Sequence, residues 1–528
     1  MVIDVIIRDA TIYDGTGGPG RRGDLAVDAG RIVSMGQGVP HGSAREEIDG
    51  SGLALAPGFI DLHSHSDISV LSDPGCISVV EQGATTIVDG LCGFSAAPID
   101  PAEAAAAGDE EPIFGYADVS VDWDSIGAYR AVVERARPAV NVATLVGHNR
   151  IRRHVMGGEG RAPTAAELAR MRDLVREGIR EGARGFTTGL SYAPGLFAAQ
   201  DELVALARVA ADEGVPYHTH MRYGEDGVVA SLHEAVATAA GSAVRLNVSH
   251  LYPPAEDPPE GADRLIDIVE AARRAGVEVT FDLTVFPRGG GAWVQALPAW
   301  AREGGHSATV ERIRDPDGRA RLIAFLRGPT VEPWARDWDD QLIVKVSHPR
   351  HAGLVGRSVG DVARERGVSG PEAALDLVVE DGQYWVAPVI KRQDHLDRLI
   401  AHPLCVPIGD GFAAHPVKHR DLGIMPKSFG TFPLVLGSYV RDRGVLDLAE
   451  AIRKITAAPA ERAGFSDRGR LAVGLAADLV LFDPATVANR ATEGEPAARP
   501  AGIDRVMVNG EWAVIGGQAT GRRAGHSL

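Results

Sequence analysis

Cysteine is scarce: Cys76, Cys92 and Cys405 are the only thiols in 528 residues. Three are too few for a disulfide framework, which excludes a small stapled secreted scaffold. The opening M-V-I-D-V-I-I-R-D sets acids inside its apolar stretch and has neither a basic leader nor a small-residue cleavage site. No secretory signal is readable there, and the compartment expected is the reducing cytoplasm. No apolar run approaches the roughly 18 residues needed to cross a bilayer, so no membrane association is expected. Positive charge is also short. Against 71 Asp plus Glu stand 54 Lys plus Arg, and the net charge of -17 repels phosphate backbones, arguing against nucleic acid as a partner. No lysine precedes Lys345, and no internal repeat of solenoid length is present.

What remains is an ordinary globular composition, 45% hydrophobic and 24% charged, with length for roughly two to four domains or one large barrel with additions. The ends resemble each other. Residues 2–35 alternate apolar and polar across a D-A-G turn, and residues 471–515 do so across N-G, so both termini are expected to build one small β domain, a β-sandwich from 1–56 plus 462–528. Between them short apolar stretches alternate with Ala-, Leu-, Arg- and Glu-rich helical segments. Strands are expected near 56–65, 85–90, 140–148, 185–189, 215–220, 245–250, 277–283 and 405–410. Eight such units predict an α/β fold, a (β/α)8 TIM-like barrel spanning 57–300 plus 386–461. The long stretch between strands seven and eight exceeds what one helix needs, and 301–385, rich in Trp, Arg and Asp, is expected to be an insertion over one end of the barrel.

In such a barrel the chemistry sits at the C-terminal strand ends. Strand one ends in His63-Ser64-His65, whose alternate spacing turns both imidazoles to one face, with Asp61 and Asp67 placed to orient them. Cys92 follows strand two in a Gly-bounded turn. Strand five ends in His218-Thr219-His220, of which His220 is nearer the open end and is the expected ligand, with His218 packed beneath it. Strand six ends in Ser249-His250 and strand eight in Gly409-Asp410-Gly411. Each has a bland alternative: a hydrogen-bonded histidine pair, a small core thiol, a turn aspartate. Their joint position at the ends of five strands is the signal. Imidazole, thiolate and carboxylate together select zinc or a similar transition ion over magnesium or calcium. Bound zinc lowers the pKa of water to about 7 and polarises a carbonyl. Asp410 is then suited to accept the water proton and deliver it to a leaving nitrogen.

Eight stretches carry a family resemblance: P-G-F-I-D-L-H-S-H-S-D (57–67), L-C-G-F-S-A-A-P (91–98), G-H-N-R-I-R-R-H-V-M-G (147–157), G-L-S-Y-A-P-G (189–195), Y-H-T-H-M-R (217–222), V-S-H (248–250), F-G-T-F-P-L-V-L-G-S-Y-V-R (429–441) and A-D-L-V-L-F-D-P (477–484). Over nearly its whole length the chain resembles the amidohydrolase superfamily, and more closely its N-acyl-D-amino-acid deacylase (D-aminoacylase) branch. Many relatives bridge two metals with a carboxylated lysine on strand four. With no lysine before Lys345 that bridge cannot form here. In the D-aminoacylase branch a cysteine after strand two replaces it, where Cys92 stands. The resemblance implies that Cys92, His220 and His250 hold a tight zinc, while His63, His65 and Asp410 frame a second, weaker site. It also places Tyr192 to hydrogen-bond the developing oxyanion, unless that ring only packs at the barrel rim.

The departures concern the substrate. D-aminoacylases hold the substrate carboxylate with a lysine two residues beyond the strand-six histidine and a tyrosine after strand seven; here the first is Tyr252, and the second region offers Phe286 and Arg288. A family H-P-R motif after strand eight reads M-P-K with Lys427. A buried carboxylate without donors costs several kcal/mol, so either Arg222, Arg288 or Lys427 supplies them or the substrate lacks that carboxylate. Aromatic Tyr252 and Phe286 favour an apolar or aromatic group there. The expected function is hydrolysis of a small-molecule linear amide, an N-acyl (D-)amino acid or related N-acyl compound. The alternatives are hydrolysis of a cyclic amide or imide, hydrolysis of an amide lacking a free carboxylate, and a non-catalytic metal-stabilised binding protein. Asp410 argues against the last, since a structural site has enough ligands without it.

Overall fold

Short apolar strands flanked by helical segments can bury both faces only in a parallel sheet covered on each side. The computed structural model, which describes the chain apart from residues 1–2, 37–43, 102–103, 105–112, 114–115, 117, 224–226, 329–334 and 421–422, closes that sheet into a barrel. Its strands are Phe59–Asp61, Ala84–Asp89, Asn141–Thr144 continuing as Val146–Gly147, Phe186–Gly189, Tyr217–His220, Leu246–Val248, Val279–Thr284 and Cys405–Ile408, numbered one to eight below. Each pairs in parallel with the next. Strands eight and one close the ring through a bridge between Ser64 and Gly411, with the Asp410 amide donating to the His63 carbonyl and the His65 amide to that of Gly411, both at 2.8 Å. All eight strands expected from the sequence are present. Helices pack outside them, such as Ala165–Arg180, which begins at a Thr164–Glu167 capping box and buries Met171, Leu174, Val175 and Ile179.

Both termini build one mixed sheet of nine strands, joined where Ala54–Pro57 pairs antiparallel with Leu479–Phe482. The sheet curls on itself. Val5, Ile7, Leu25 and Leu55 from the first half share a core with Leu479, Leu481, Met507 and Trp512 from the second, and the Trp512 indole donates to Glu46 at 3.0 Å. Between strands seven and eight, Gly291–Ala292, Trp385–Val386 and Ile343–Lys345 form a three-stranded antiparallel sheet backed by helices including Gly305–Arg314, Val359–Arg366 and Gly370–Asp381. This inserted unit has its own apolar core around Trp293, Leu322, Val378 and Tyr384, where the Trp293 and Tyr384 rings stack 5.9 Å apart. The three cysteines are buried and unpaired, and among the described residues no helix is long and apolar enough to cross a membrane.

One buried charge cluster fixes the terminal sheet to the barrel. Asp478 pairs with Arg468, and both side chains are almost wholly buried. Its carboxylate also accepts from Asn141 of strand three at 3.1 Å and from the Asn509 amide at 2.7 Å. Removing one partner of such a pair strands a buried charge, so Asp478→Ala is expected to lower stability by about 3–5 kcal/mol. Urea unfolding checks this; a loss within the range of an ordinary surface substitution would mean that the cluster does not join the two units.

Candidate metal centre and active site

The residues expected to carry the chemistry converge at the C-terminal mouth of the barrel. Cys92 Sγ lies 3.2 Å from His63 Nε2 and 3.7 Å from His250 Nε2. Asp410 Oδ1 lies 3.5 Å from His63 Nε2 and 3.3 Å from His65 Nε2. Potential ligand atoms thus gather in two groups that share His63: His63, Cys92 and His250, and His63, His65 and Asp410. His220 stands against the first group, its ring 4.5 Å from that of His250, and both its nitrogens are buried without a hydrogen-bond partner. Orphaned imidazole nitrogens beside a thiol and a second imidazole are the donor set a zinc ion takes, so these residues fit the metal. His218 points to the same face one step deeper, where burial pushes it down to about 4 and keeps it neutral.

Backbone strain marks the same places. Cys92, His250 and Asp410 all have left-handed φ, at 55°, 35° and 47°, a region that residues with a Cβ rarely enter. Close packing holds the Cys92 turn there: a Cβ on Gly189 would overlap the Cys92 carbonyl oxygen, and one on Gly93 the Asn149 side chain. Charge is balanced within the cluster. Burial alone would raise the Cys92 thiol, but His63, His220 and His65 hold it well below the usual thiol range, as a metal-binding thiolate needs. Burial likewise works against ionised Asp410, yet Lys427, His65 and His63 hold it well below the ordinary carboxylate range.

The supporting acids differ from those the sequence suggested. Asp61 does not reach the rings; it accepts the amides of His63 at 3.2 Å and Gly409 at 3.0 Å, tying strand one to strand eight, and burial raises it to about 6. The orienting acid is Asp282 of strand seven, which accepts the His250 amide and the Asn247 side chain, each at 2.6 Å, and lies 3.7 Å from His63 Nδ1. The signal for it was an acid facing inward within V-E-V-T-F-D-L.

A cavity of about 440 Å³ opens over His65, Cys92, His220, His250 and Asp410, with Tyr192, Tyr252, Gln295, Arg302, Trp385, Lys391 and Lys427 among its walls. Tyr192 packs between Phe94 and His220, at 4.8 and 4.7 Å between ring centroids, and Gln295 of the inserted unit lines the same cavity. Of the expected substrate-binding residues, Tyr252, Phe286, Arg222, Arg288 and Lys427, the cavity lining includes Tyr252 and Lys427. Arg222 is drawn away by Glu234 at 3.1 Å and by the carbonyls of Leu196 and Ala198. Arg288 turns to the inserted unit, to Asp340 and the Ala387 carbonyl, both at 2.7 Å. Phe286 is not in the wall; its carbonyl accepts from Lys391 at 3.0 Å. Lys427 donates to Asp410 Oδ2 at 2.7 Å, so its charge is already answered.

Two variants test the centre. Cys92→Ala removes the only thiolate and is expected to strip tightly held zinc. Asp282→Ala leaves every ligand in place but frees the His250 amide, and a loss of about 10- to 100-fold in zinc affinity is expected. Zinc retained after dialysis against a graded chelator, with circular dichroism to confirm folding, checks both, and full retention by Cys92→Ala would refute the ligand assignment.

Residues 46–514 match the amidohydrolase family. The chain is 34% identical to the N-acyl-D-glutamate deacylase of Alcaligenes xylosoxydans xylosoxydans, over 96% of this chain and 93% of the relative, and 32% identical to the D-aminoacylase of the same organism, over 99% and 97%. Among solved structures, the N-acyl-D-glutamate deacylase from Bordetella bronchiseptica, in complex with zinc and a phosphonate mimic of the tetrahedral intermediate, superposes with a TM-score of 0.83 at 32% identity, covering 100% of both chains. With two clusters of metal-ligand type at the mouth of its barrel, the chain belongs to the amidohydrolase family and is a metal-dependent amidohydrolase related to the N-acyl-D-amino-acid deacylases.

Proposed function

We propose that this enzyme hydrolyses the amide bond of N-acyl D-amino acids, releasing the acyl acid and the free amino acid. The observation that carries the reading is the ligand-rich floor of the cavity, His65, Cys92, His220, His250 and Asp410, beneath walls that supply a phenol and buried cations. The names of the relatives support the D configuration and the acyl-amino-acid class. A zinc ion, when bound, supplies Lewis acidity toward the amide carbonyl and lowers the pKa of water.

Cys92, His250 and His220 are the residues that would hold it tightly, with His63, His65 and Asp410 framing a second position. Asp410 accepts the proton of the attacking water. Its Oδ2 is anchored by Lys427, which leaves Oδ1, beside His63 and His65, as the oxygen that takes the proton. As the carbon–nitrogen bond breaks, that proton passes to the departing nitrogen and the added water oxygen stays with the acyl group. Tyr192 faces the same space, and its hydroxyl is the donor for the carbonyl oxygen as negative charge builds there. The inserted unit contributes Gln295, Arg302 and Trp385 to the cavity wall.

A panel of N-acetyl-D- and N-acetyl-L-amino acids, acidic and neutral, with their carboxamides and a cyclic imide, assayed for amine release or ring opening by zinc-loaded protein, tests the reading. D-selective turnover of the free acids is expected. Activity confined to carboxamides or to the imide would move the enzyme to another amide class. Asp410→Asn is expected to keep fold and zinc while losing about 10²- to 10⁴-fold in kcat. Unchanged turnover by that variant would remove Asp410 from the mechanism.

A further inference from the structure

Lysine is rare here, five residues in all, and one of them is almost completely buried in the cavity wall with no established task. Lys391 follows the last strand of the inserted unit and is 2% exposed. Its ammonium donates to the Phe286 carbonyl at 3.0 Å and lies over the face of Tyr252, 5.0 Å from the ring centroid. No carboxylate among the described residues forms an ion pair with it. An ammonium has three donors and no acceptor. The carbonyl takes one and the aromatic face answers part of the charge, so donor capacity is left toward the cavity.

Three other cations near the cavity are tied to acids. Arg222 is tied to Glu234, Arg288 to Asp340 and Lys427 to Asp410. Arg302 has no acidic partner among the described residues, but its guanidinium is held at the Ser191 carbonyl, 2.6 Å away, beside the Tyr192 loop. Lys391 is on the Tyr252 side. Tyr252 stacks on Tyr223 with 5.8 Å between centroids, and the Tyr223 hydroxyl donates to the carbonyl of the metal-centre residue His250 at 3.3 Å. The ammonium thus lies at the edge of an aromatic pair that abuts the metal centre, on the same cavity wall as Lys427. Burial and the nearby charge of Lys427 push it down to about 7, a cost that an arriving anion would offset.

We propose that Lys391 is the specificity-determining cation of this enzyme and binds the carboxylate of the substrate amino acid from the shelf formed by Tyr252. The inference rests on the acyl-amino-acid reading above. It assigns the contact to a residue on the segment that returns from the inserted unit to the barrel rather than to a strand end. It also gives Tyr252 a role other than contact with an apolar substrate group, as the surface that orients a lysine reaching over from another part of the chain.

The test compares zinc-loaded wild type, Lys391→Met and Lys391→Arg on N-acetyl-D-leucine and on its carboxamide, and measures calorimetrically the binding of phosphonamidate analogues of both compounds. For Lys391→Met a rise of about 10- to 100-fold in KM for the acid is expected, with a much smaller change in kcat and loss of the acid-over-carboxamide preference. Lys391→Arg should recover part of that preference, which a merely structural lysine would not require. Equal effects on acid and carboxamide, or none on either, overturn the inference. If wild type hydrolyses neither compound, the function proposed above falls, yet the binding arm still decides: tighter binding of the acid analogue that vanishes in Lys391→Met upholds the carboxylate contact, and equal binding of the two analogues by wild type refutes it.

Discussion

The active site depends on one seam, the junction of the first and eighth barrel strands. His63 and His65 stand on one side and Asp410 on the other, more than three hundred residues away in sequence, and they form one cluster only because the ring closes there. Two backbone hydrogen bonds at the Ser64–Gly411 bridge hold the closure, from Asp410 to His63 and from His65 to Gly411. Buried Asp61 adds a third link by accepting an amide from each strand. The glycine at 409 is required by the same contact, since a Cβ there would overlap the Asp61 carboxylate. A parallel barrel has a free edge until its last strand docks, so docking completes both the fold and the metal centre.

The cluster also illustrates how buried charge is tolerated. A thiolate and a carboxylate would each be unfavourable alone in this interior. Here imidazoles stand between them, so that His63 faces Cys92 and Asp410 together, and Lys427 covers the far oxygen of the carboxylate. The left-handed φ values at Cys92, His250 and Asp410 show that the backbone is bent away from its preferred conformations to achieve this convergence. Packed glycines and the Asp282 contacts keep it bent.

Much of this was legible in the sequence, for physical reasons. Alternating and buried-strand patterns depend on neighbours in the chain, so all eight barrel strands and the two-ended β domain could be recognised, and strand ends then pointed to His63, His65, Cys92, His220, His250 and Asp410 as a set. The partners of long charged side chains were not legible. Arg222 and Arg288 looked free because nothing local shows that Glu234 lies on a facing helix or Asp340 in the inserted unit. Asp282 was missed because an inward acid on a strand has the same local pattern whether it orients a ligand or only satisfies a neighbour. Lys391 was missed because its significance lies in Tyr252 and Phe286, more than one hundred residues before it.

The two parts of the cavity wall are held in place by different physical constraints. The barrel side carries groups whose positions are over-determined: ligands share partners, sit in strained backbone and pack against glycines, so a change at one disturbs several others. The inserted unit has a separate apolar core and meets the cavity through individual side chains, Gln295, Arg302, Trp385 and, just beyond its last strand, Lys391. None of these four residues is among the clustered ligand residues of the centre. A cation in this wall is thus held from the segment that returns from the inserted unit, with the Tyr252 ring of the barrel beneath it.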